Sequence, residues 1–355
     1  MPAEPLEAAK PVGRLVYADA LRVFAILMVV VLHTSARALT KSPAFGEVWW
    51  AGNLFDSLSR WSVPVFVMLS GALLLSAPRS EGLGFFLRRR FSKIVLPFLV
   101  WSTVYLLFRW LLLKEPLTLG HILPAFLHEP AFYHLWFMYV ILGLYLITPL
   151  LRSWLKQASN QDLQYFFCLW VLFVSFLPMS KHLWGLDLGI QLEFLTGYAG
   201  YFVLGYYLHQ QKSLPTPWLW GAFISGAMLT VGGTWFLTLK KQGHLDQALF
   251  SYFSPNVLLM SVGVYGLFKG SQRLGEGQIP RWLLGLSQSS FGIYLCHPLL
   301  LAVALNTTTM NQFKLENVLL AAWWGIPLCS VLVFGLSLGL VLLLRKVPLL
   351  KATVP

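Results

Sequence analysis

The sequence predicts an all-α integral membrane protein with about ten transmembrane helices and both termini in the cytoplasm. Composition is the first reason: 57% of the 355 residues are hydrophobic and only 11% are charged, which lies outside the usual range of soluble domains. Long apolar runs are the second, because a helix needs roughly 20 such residues to cross a hydrocarbon core of about 30 Å. The uneven placement of lysine and arginine between these runs is the third.

Ten apolar segments are long enough to span the bilayer, and helices satisfy their own backbone groups in lipid. The predicted spans are 17–39, 55–77, 91–113, 133–152, 163–180, 192–210, 217–239, 252–270, 284–306 and 320–345. They form one membrane domain, residues 17–345, between an N-terminal tail of residues 1–16 and a C-terminal tail of residues 346–355. The loops between the spans are too short to hold a separate soluble domain.

The loops on one side of the predicted bundle carry most of the positive charge. Sixteen lysines and arginines lie on the side that includes both termini, and seven lie on the opposite side. Cytoplasmic loops carry such an excess, so we place both termini in the cytoplasm and expect the bacterial inner membrane as the location. The formal net charge of +12 has the same origin, and we therefore infer no binding to nucleic acid.

Two ionisable residues interrupt the first apolar run, DALRVFAILMVVVLH. Arg22 and His33 are eleven residues apart, which corresponds to three helical turns plus about 20° and to roughly 16 Å along the helix axis. They share one face, which should point into the bundle because ionisable groups are costly in lipid. Two alternatives remain open: Arg22 can pair with Asp19 at the interface, and His33 can bond to a neighbouring carbonyl.

Other predicted spans bring polar side chains to the same half of the bilayer as His33. They are Asn53, Asp56 and Arg60 in the second span, His134 in the fourth, Glu193 in the sixth and His297 in the ninth. Residues from separate segments at one depth indicate a functional site, although His134 and Glu193 can also be simply solvated. Because Pro298 frees a carbonyl in the preceding turn, His297 can alternatively serve local hydrogen bonding.

A basic cluster precedes the third predicted span. The stretch RRRFSKIVLP, residues 88–97, holds Arg88, Arg89, Arg90 and Lys93 within six residues. One interpretation is a membrane anchor that contacts anionic lipid. The other is a phosphate clamp, since guanidinium groups bind phosphate oxygens bidentately and the start of a helix offers further donors.

Five sequence elements together resemble the membrane-bound acyltransferase family 3. In chain order they are Arg22-x10-His33, VPVFVMLSG at 63–71, the basic run that ends in KIVLP at 93–97, HLWFMYVILGLYLITPLL at 134–151 and SSFGIYLCHP at 289–298. The Arg-x10-His element alone is weak, whereas five elements in order along nearly the whole chain make a specific match. Within the family, the chain looks most like the group that O-acetylates enterobacterial common antigen.

The resemblance implies a ten-helix enzyme that takes an acyl group, expected to be acetyl, from cytoplasmic acyl-CoA. The acceptor would be a hydroxyl of a cell-surface glycan or of its lipid-linked precursor. His33 would be the essential catalytic histidine, and Arg22 with the basic cluster would hold the donor. His33 would act either as the general base toward the acceptor hydroxyl or as a covalent acyl carrier.

Depth in the membrane suggests roles for the remaining polar residues. Besides His33, the catalytic candidates are Asp56, Glu193 and His297; the two acidic residues could orient the His33 imidazole. The candidates for binding the acceptor or the developing oxyanion are Asn53, Arg60 and His134, and His297 is also at a suitable depth for the oxyanion. The expected partners are acyl-CoA, the glycan acceptor and membrane lipids. No metal is expected, because the three cysteines all lie in apolar segments.

A transporter or flippase for a glycan lipid or an anionic solute is the alternative function. It would also need buried charges and a hydrated path. The asymmetry of the sequence favours the enzyme, because cations crowd one end of the predicted bundle and histidines the other, as expected for a donor and an acceptor that arrive from opposite faces. Succinyl transfer in place of acetyl transfer is a third possibility.

Overall fold

A computed structural model of the chain describes residues 15–76, 82–116, 118–186, 197–274, 279–305 and 322–355. The described residues form a bundle of α-helices with a single large apolar core. The helices are α1 (Val16–Lys41), α2 (Glu47–Ser59), α3 (Ser62–Leu75), α4 (Leu83–Leu112), α5 (Leu119–Leu127), α6 (Trp136–Leu155), α7 (Asn160–Trp184), α8 (Gly197–Gln210), α9 (Thr216–Lys240), α10 (Pro255–Gly270), α11 (Arg281–Leu305), α12 (Ala322–Lys346) and the short α13 (Pro348–Lys351).

The predicted fold class is confirmed. Within the described ranges, nine stretches are long and apolar enough to cross a membrane, and each coincides with a predicted span. The remaining predicted span, 192–210, corresponds from residue 197 onward to α8, and its first five residues lie outside the described residues. The middle of α7, Val171–Phe176, is π-helical, a local widening that sequence periodicity does not reveal.

The second predicted span is two helices rather than one. It starts at Glu47 instead of residue 55, and it breaks between α2 and α3 at Arg60 and Trp61. Pro64 explains the break, because it has no N–H to donate to the Arg60 carbonyl and its ring crowds that carbonyl. The break places Arg60 at the junction of the two helices, inside the bundle.

Helices α3 and α8 approach each other closely through glycine. A Cβ atom on Gly71 would lie 1.8 Å from the Phe202 carbonyl oxygen, and one on Gly205 would lie 1.9 Å from the Met68 carbonyl oxygen. Only glycine allows these two backbones to touch, as is common where helices pack in membranes. The contact fixes α3, which lines the cavity described below, against α8.

Three further features of the chain were not indicated by the sequence. The third span starts at Leu83, not at residue 91, so the basic cluster lies in the second and third turns of α4 and contributes no helix start. The residues of the predicted C-terminal tail pack onto the bundle: Val354 is fully buried, and its carbonyl accepts a hydrogen bond from Arg345 Nε at 3.0 Å. Short helix α5 lies in the loop between the third and fourth spans, where no element was predicted.

Candidate active site

The face of α1 that carries Arg22 and His33 points into the bundle. Leu21, Ala25 and Ile26 beside Arg22 are completely buried. Arg22 Nη1 donates to Asp19 Oδ1 at 3.1 Å and to the Ser287 hydroxyl of α11 at 2.9 Å. The Ser287 hydroxyl in turn donates to Asp19. The pairing with Asp19 and the inward orientation, which the sequence left as alternatives, therefore occur together.

The imidazole of His33 packs against other rings of the bundle interior. Its ring centroid lies 4.9 Å from that of Tyr133 and 5.3 Å from that of His297 on α11. His33 itself is half-buried. The predicted catalytic histidine thus faces protein and keeps access to open space.

Three histidines from separate segments form a cluster, with His297 in the centre. The His297 centroid is 5.3 Å from His33 and 5.7 Å from His134, which lies just before α6. His297 Nδ1 lies 3.0 Å from the Ile293 carbonyl oxygen. Within the described part of the chain, the other nitrogen of His297 and both ring nitrogens of His134 are buried without a hydrogen-bond partner. Such groups are costly unless a substrate, water or proton uses them.

Tyr105 on α4 holds the region of α11 that carries His297. Its hydroxyl donates to the Leu295 carbonyl at 2.8 Å and accepts from the Leu299 N–H at 3.2 Å. These two backbone groups would normally bond to each other, and the hydroxyl is inserted between them next to Pro298. The ring of Tyr105 also lies 5.1 Å from that of His134 in an edge-to-face arrangement. Tyr105 therefore contacts both the turn of α11 that carries His297 and the ring of His134.

A cavity of about 230 Å³ extends from Arg22 to Tyr294. It is lined by α1, α3, α4, α6 and α11 through Arg22, Phe66, Ser70, Ile94, Phe137, Met138, Ile141, Tyr145, Ser290, Phe291 and Tyr294. The Tyr294 ring lies 5.3 Å from His134 and 6.4 Å from His297. The cavity thus runs from Arg22 to Tyr294, a neighbour of two of the three histidines, and its walls are mostly apolar and aromatic.

Arg90 is the one member of the basic cluster on α4 that is partly buried. Arg88, Arg89 and Lys93 are exposed. The Arg90 guanidinium lies 5.7 Å above the Phe86 ring, and its Nε is buried without a hydrogen-bond partner among the described residues. Ile94, one turn further along α4, lines the cavity. Arg90 therefore lies one helical turn from a residue of the cavity wall.

Arg60 and Asp56 form a buried ion pair near the cluster. Arg60 Nε donates to Asp56 Oδ2 at 3.1 Å, and Nη2 donates to the same oxygen. Arg60 Nη1 also donates to the Phe250 carbonyl at 3.3 Å, and the guanidinium lies 4.4 Å above the Phe250 ring. A fixed cation of this kind is suited to a reaction in which negative charge develops.

Comparison with known proteins decides the family. A family model described as an acyltransferase domain matches residues 15–342. The chain belongs to acyltransferase family 3. In addition, a protein of Bacillus subtilis (strain 168) named "Putative membrane-bound acyltransferase YfiQ" is 24% identical over an alignment that covers 78% of each chain. No solved structure matches the chain.

Two candidates of this family 3 acyltransferase take positions that the sequence did not indicate. Asn53 Nδ2 donates to the Val231 carbonyl at 3.1 Å, and its Oδ1 accepts from the Ser57 hydroxyl, so Asn53 joins α2 to α9. Asp56 contacts Arg60, and no hydrogen bond joins its carboxylate to His33 in the described ranges. Glu193 lies outside the described residues. The roles suggested for these three residues remain predictions.

Three tyrosines beside the histidine cluster were not recognised in the sequence. Tyr133 precedes His134, and Tyr294 stands three residues before His297, so both neighbour residues that were singled out. Tyr105 carries no such signal, because its contact with the Pro298 region depends on the packing of α4 against α11. No group of three or more histidine, cysteine or acidic side chains arranged to hold a metal ion is found in the described portions of the chain.

Proposed function

We propose that this membrane acyltransferase moves an acyl group, with acetyl as the expected case, from cytoplasmic acyl-CoA to a hydroxyl of a cell-surface glycan or of its lipid-linked precursor. One observation carries the proposal: the cavity is lined by Arg22 at one end and by Tyr294 at the other, and the Tyr294 ring packs against His134 and His297. Acyl-CoA carries phosphates at one end and a thioester at the other. It would therefore fit a site with an arginine at one end and histidines near the other.

The donor end of the site consists of Arg22 and Arg90. Guanidinium groups bind phosphate oxygens bidentately, and Arg90 keeps a donor N–H without a partner among the described residues. The cavity volume of about 230 Å³ is below the roughly 300–1,000 Å³ of pockets that enclose a whole small-molecule ligand. It suits the slender pantetheine arm, with the nucleotide outside. The roughly 16 Å between Arg22 and His33 along α1 would then be spanned by this arm.

The proposed donor end also predicts the orientation of the protein in the membrane. The arginine end of the cavity would be cytoplasmic, where acyl-CoA is found, and both termini would lie on that side of a bacterial inner membrane. The excess of lysine and arginine on this side supports the orientation. Reporter fusions at each terminus test it: a fluorescent protein that folds only in the cytoplasm should be bright at both ends, and a fusion active only in the periplasm should be silent.

The chemistry proposed for His33 is the removal of the acceptor hydroxyl proton. The hydroxyl oxygen forms a bond to the thioester carbonyl carbon, the carbon–sulfur bond breaks, and the thiolate takes up a proton as CoA leaves. The charge of Arg60 would favour the negative charge that develops on the way. The alternative is a two-step route in which His33 first accepts the acyl group covalently.

We propose a chemical class for the acceptor, a glycan hydroxyl. Acceptors of the enterobacterial common antigen type are the most specific candidates, and the support for them is the resemblance of the five sequence elements. Aromatic side chains with hydroxyl groups near the histidines, such as Tyr133 and Tyr294, would suit a sugar, since an apolar ring face and hydroxyl groups are both recognised there.

The direct test is transfer of label in a purified system. Protein in nanodiscs is supplied with labelled acetyl-CoA on one side and an isolated membrane glycan, and labelled O-acetyl glycan is measured. The wild-type protein should produce it, and His33→Ala should not. His128→Ala is the matched control, because this histidine is 67% exposed and is not one of the three clustered histidines. A His33→Ala variant that folds and transfers at the wild-type rate would overturn the proposal.

A further inference from the structure

The tautomer of His297 is fixed by its backbone contact. Its Nδ1 lies 3.0 Å from the Ile293 carbonyl oxygen. A carbonyl oxygen can only accept a hydrogen bond, so Nδ1 must carry the proton. In the neutral ring, Nε2 is then an unprotonated nitrogen with a free lone pair. His297 is completely buried, and Nε2 has no hydrogen-bond partner in the part of the chain that the structure describes.

The position of this lone pair is fixed as well. His297 belongs to the turn of α11 that Pro298 interrupts, and the Tyr105 hydroxyl bridges the Leu295 carbonyl and the Leu299 N–H of that turn. The ring is therefore held from the backbone on one side and by packing on the other, where the His33 ring lies at 5.3 Å with an interplanar angle of 28°. No hydrogen bond joins the two rings directly in the described residues, so a rotation of the half-buried His33 ring or one water molecule would complete the contact.

We propose that His297 is the proton-accepting partner of His33. This inference rests on the proposed function, in which His33 removes the proton of the acceptor hydroxyl. As one nitrogen of His33 takes that proton, the other gives its own proton to His297 Nε2. The positive charge thereby moves away from the reacting atoms. His297 acts through His33 and is a positioning residue; unlike the carboxylate of a Ser-His-Asp triad, which stays ionised, it takes up the proton.

The protons balance over the whole reaction. The acceptor loses one proton to His33, His33 passes one to His297, and the new ester bond forms as the carbon–sulfur bond breaks. When the thiolate leaves, His297 returns a proton to His33 and His33 gives one to the sulfur. Both histidines end neutral, and the products are the ester and the free thiol of CoA. No oxidant, metal or further reactant is required.

The surroundings of the site favour His297, rather than a carboxylate, as the partner that accepts a proton from His33. His33, His134 and Tyr294 are the titratable groups whose rings pack around it. Asp56, the acidic candidate within the described residues, is engaged by Arg60 instead. His134 shares the burial, but neither of its ring nitrogens has a partner that would fix its tautomer within the described residues. Among the three histidines, His297 is therefore the one whose protonation is determined by the fold.

Two substitutions separate the proton role from a structural role. In His297→Asn, the amide nitrogen takes the place of Nδ1 and keeps the bond to Ile293, but nothing replaces Nε2. In His297→Gln, the amide oxygen lies near Nε2 and still accepts a hydrogen bond, while the bond to Ile293 is lost. If His297 accepts a proton from His33, His297→Asn should lower kcat by about 100-fold and His297→Gln by several-fold less, with KM for acetyl-CoA unchanged in both.

The opposite order of activity, with His297→Asn more active than His297→Gln, would contradict the proposal. A merely structural histidine predicts that His297→Asn is nearly as active as the wild type and that His297→Gln is the weaker variant. A measurement on the wild-type protein covers the case in which neither variant folds. Two protons that move together give a curved dependence of kcat on the deuterium fraction of the solvent, whereas a linear or flat dependence would overturn the relay.

The His33→Ala variant distinguishes a failure of the inference about His297 from a failure of the proposed function. If the wild type is active, His33→Ala is inactive and His297→Asn is fully active, then only the role of His297 is wrong and the proposed function stands. If the wild type transfers no acyl group, or if His33→Ala retains the wild-type rate, the proposed function itself fails.

Discussion

The Tyr105 hydroxyl lies in the gap that Pro298 leaves in α11, 2.8 Å from the Leu295 carbonyl oxygen and 3.2 Å from the Leu299 nitrogen. A proline inside a helix removes one backbone bond and distorts the turn around it. Here a side chain from another helix bonds to two backbone groups of the turn that follows the proline's own missing bond. The turn next to His297 is therefore held by packing between α4 and α11.

Removal of this hydroxyl should affect stability and activity together. In Tyr105→Phe, the Leu295 carbonyl and the Leu299 N–H lose their partner in a dry site, which costs about 1–3 kcal/mol. We expect a lower melting temperature in detergent and roughly a tenfold lower kcat, because the His297 ring loses its fixed position. Tyr139→Phe is the matched control: it removes a comparable bond, from Tyr139 to the Ala125 carbonyl, away from the cluster. Equal transfer rates in the two variants would contradict the assigned role of Tyr105.

Arg90 should be the member of the basic cluster that matters for the donor. Arg90→Ala should raise KM for acetyl-CoA about tenfold or more with a small effect on kcat, because a charge-assisted contact to phosphate is lost. Arg88→Ala, which removes an equal charge from an exposed position on the same helix, should leave KM nearly unchanged. Steady-state kinetics in nanodiscs measure both. If both variants show the same increase in KM, the effect is one of general surface charge.

The close contact of α3 with α8 should not tolerate a single methyl group. In Gly71→Ala, the new Cβ would lie 1.8 Å from the Phe202 carbonyl oxygen, so the helices must separate. We expect a loss of at least about 2 kcal/mol of stability, visible as a lower melting temperature and a smaller yield of folded protein. Gly143→Ala on α6, where nothing lies within 4 Å of the new atom, should behave like the wild type. Wild-type stability of Gly71→Ala would show that the two helices are further apart.

An ionic contact outside the predicted spans should make stability depend on pH. Asp246 Oδ2 lies 2.9 Å from His182 Nε2 and 2.9 Å from Lys241 Nζ. Burial alone would raise the pKa of Asp246, but hydrogen bonds from the Ala248 N–H, Lys241 and His182 together lower it. The folded-state pKa is thus below the unfolded value of about 4.

The lowered pKa of Asp246 determines the direction in which stability changes with pH. A carboxyl group whose pKa is lowered by folding stabilises the protein above its unfolded pKa, and the stabilisation is lost as the pH falls through the folded-state pKa. The melting temperature of the wild type should therefore drop more steeply below about pH 4 than that of Asp246→Asn. Parallel curves for the two proteins between pH 6 and the acid limit would contradict the contact.

The sequence was most informative where a single helix carries the pattern. The spacing of Arg22 and His33 predicted a shared inward face, and α1 has that face because three turns of a regular helix return to almost the same direction. Apolar length predicted nine spans that the structure confirms, since backbone bonding within lipid leaves few alternatives to a helix.

Features that depend on two helices could not be read from one stretch of sequence. The orientation of Arg90, the bond of Asn53 to Val231 and the insertion of Tyr105 at Pro298 are all set by which helix lies beside which. The two-helix form of the second span was accessible in principle, because Pro64 marks the break. The start of α4 was missed for a different reason: its basic first turns do not look apolar, although they are helical.

The central claim is that the donor's thioester arm enters the cavity between Arg22 and the histidine cluster, and protection of a thiol in its wall tests this most directly. Ser70→Cys places the thiol in the wall, Cys168→Ser removes the exposed native thiol, and Ser213→Cys, at an exposed loop, serves as the control. CoA at saturating concentration should slow labelling of the Ser70→Cys protein by a small thiol reagent at least tenfold and leave the Ser213→Cys protein unaffected. Equal labelling of the Ser70→Cys protein with and without CoA would show that the arm does not enter this cavity.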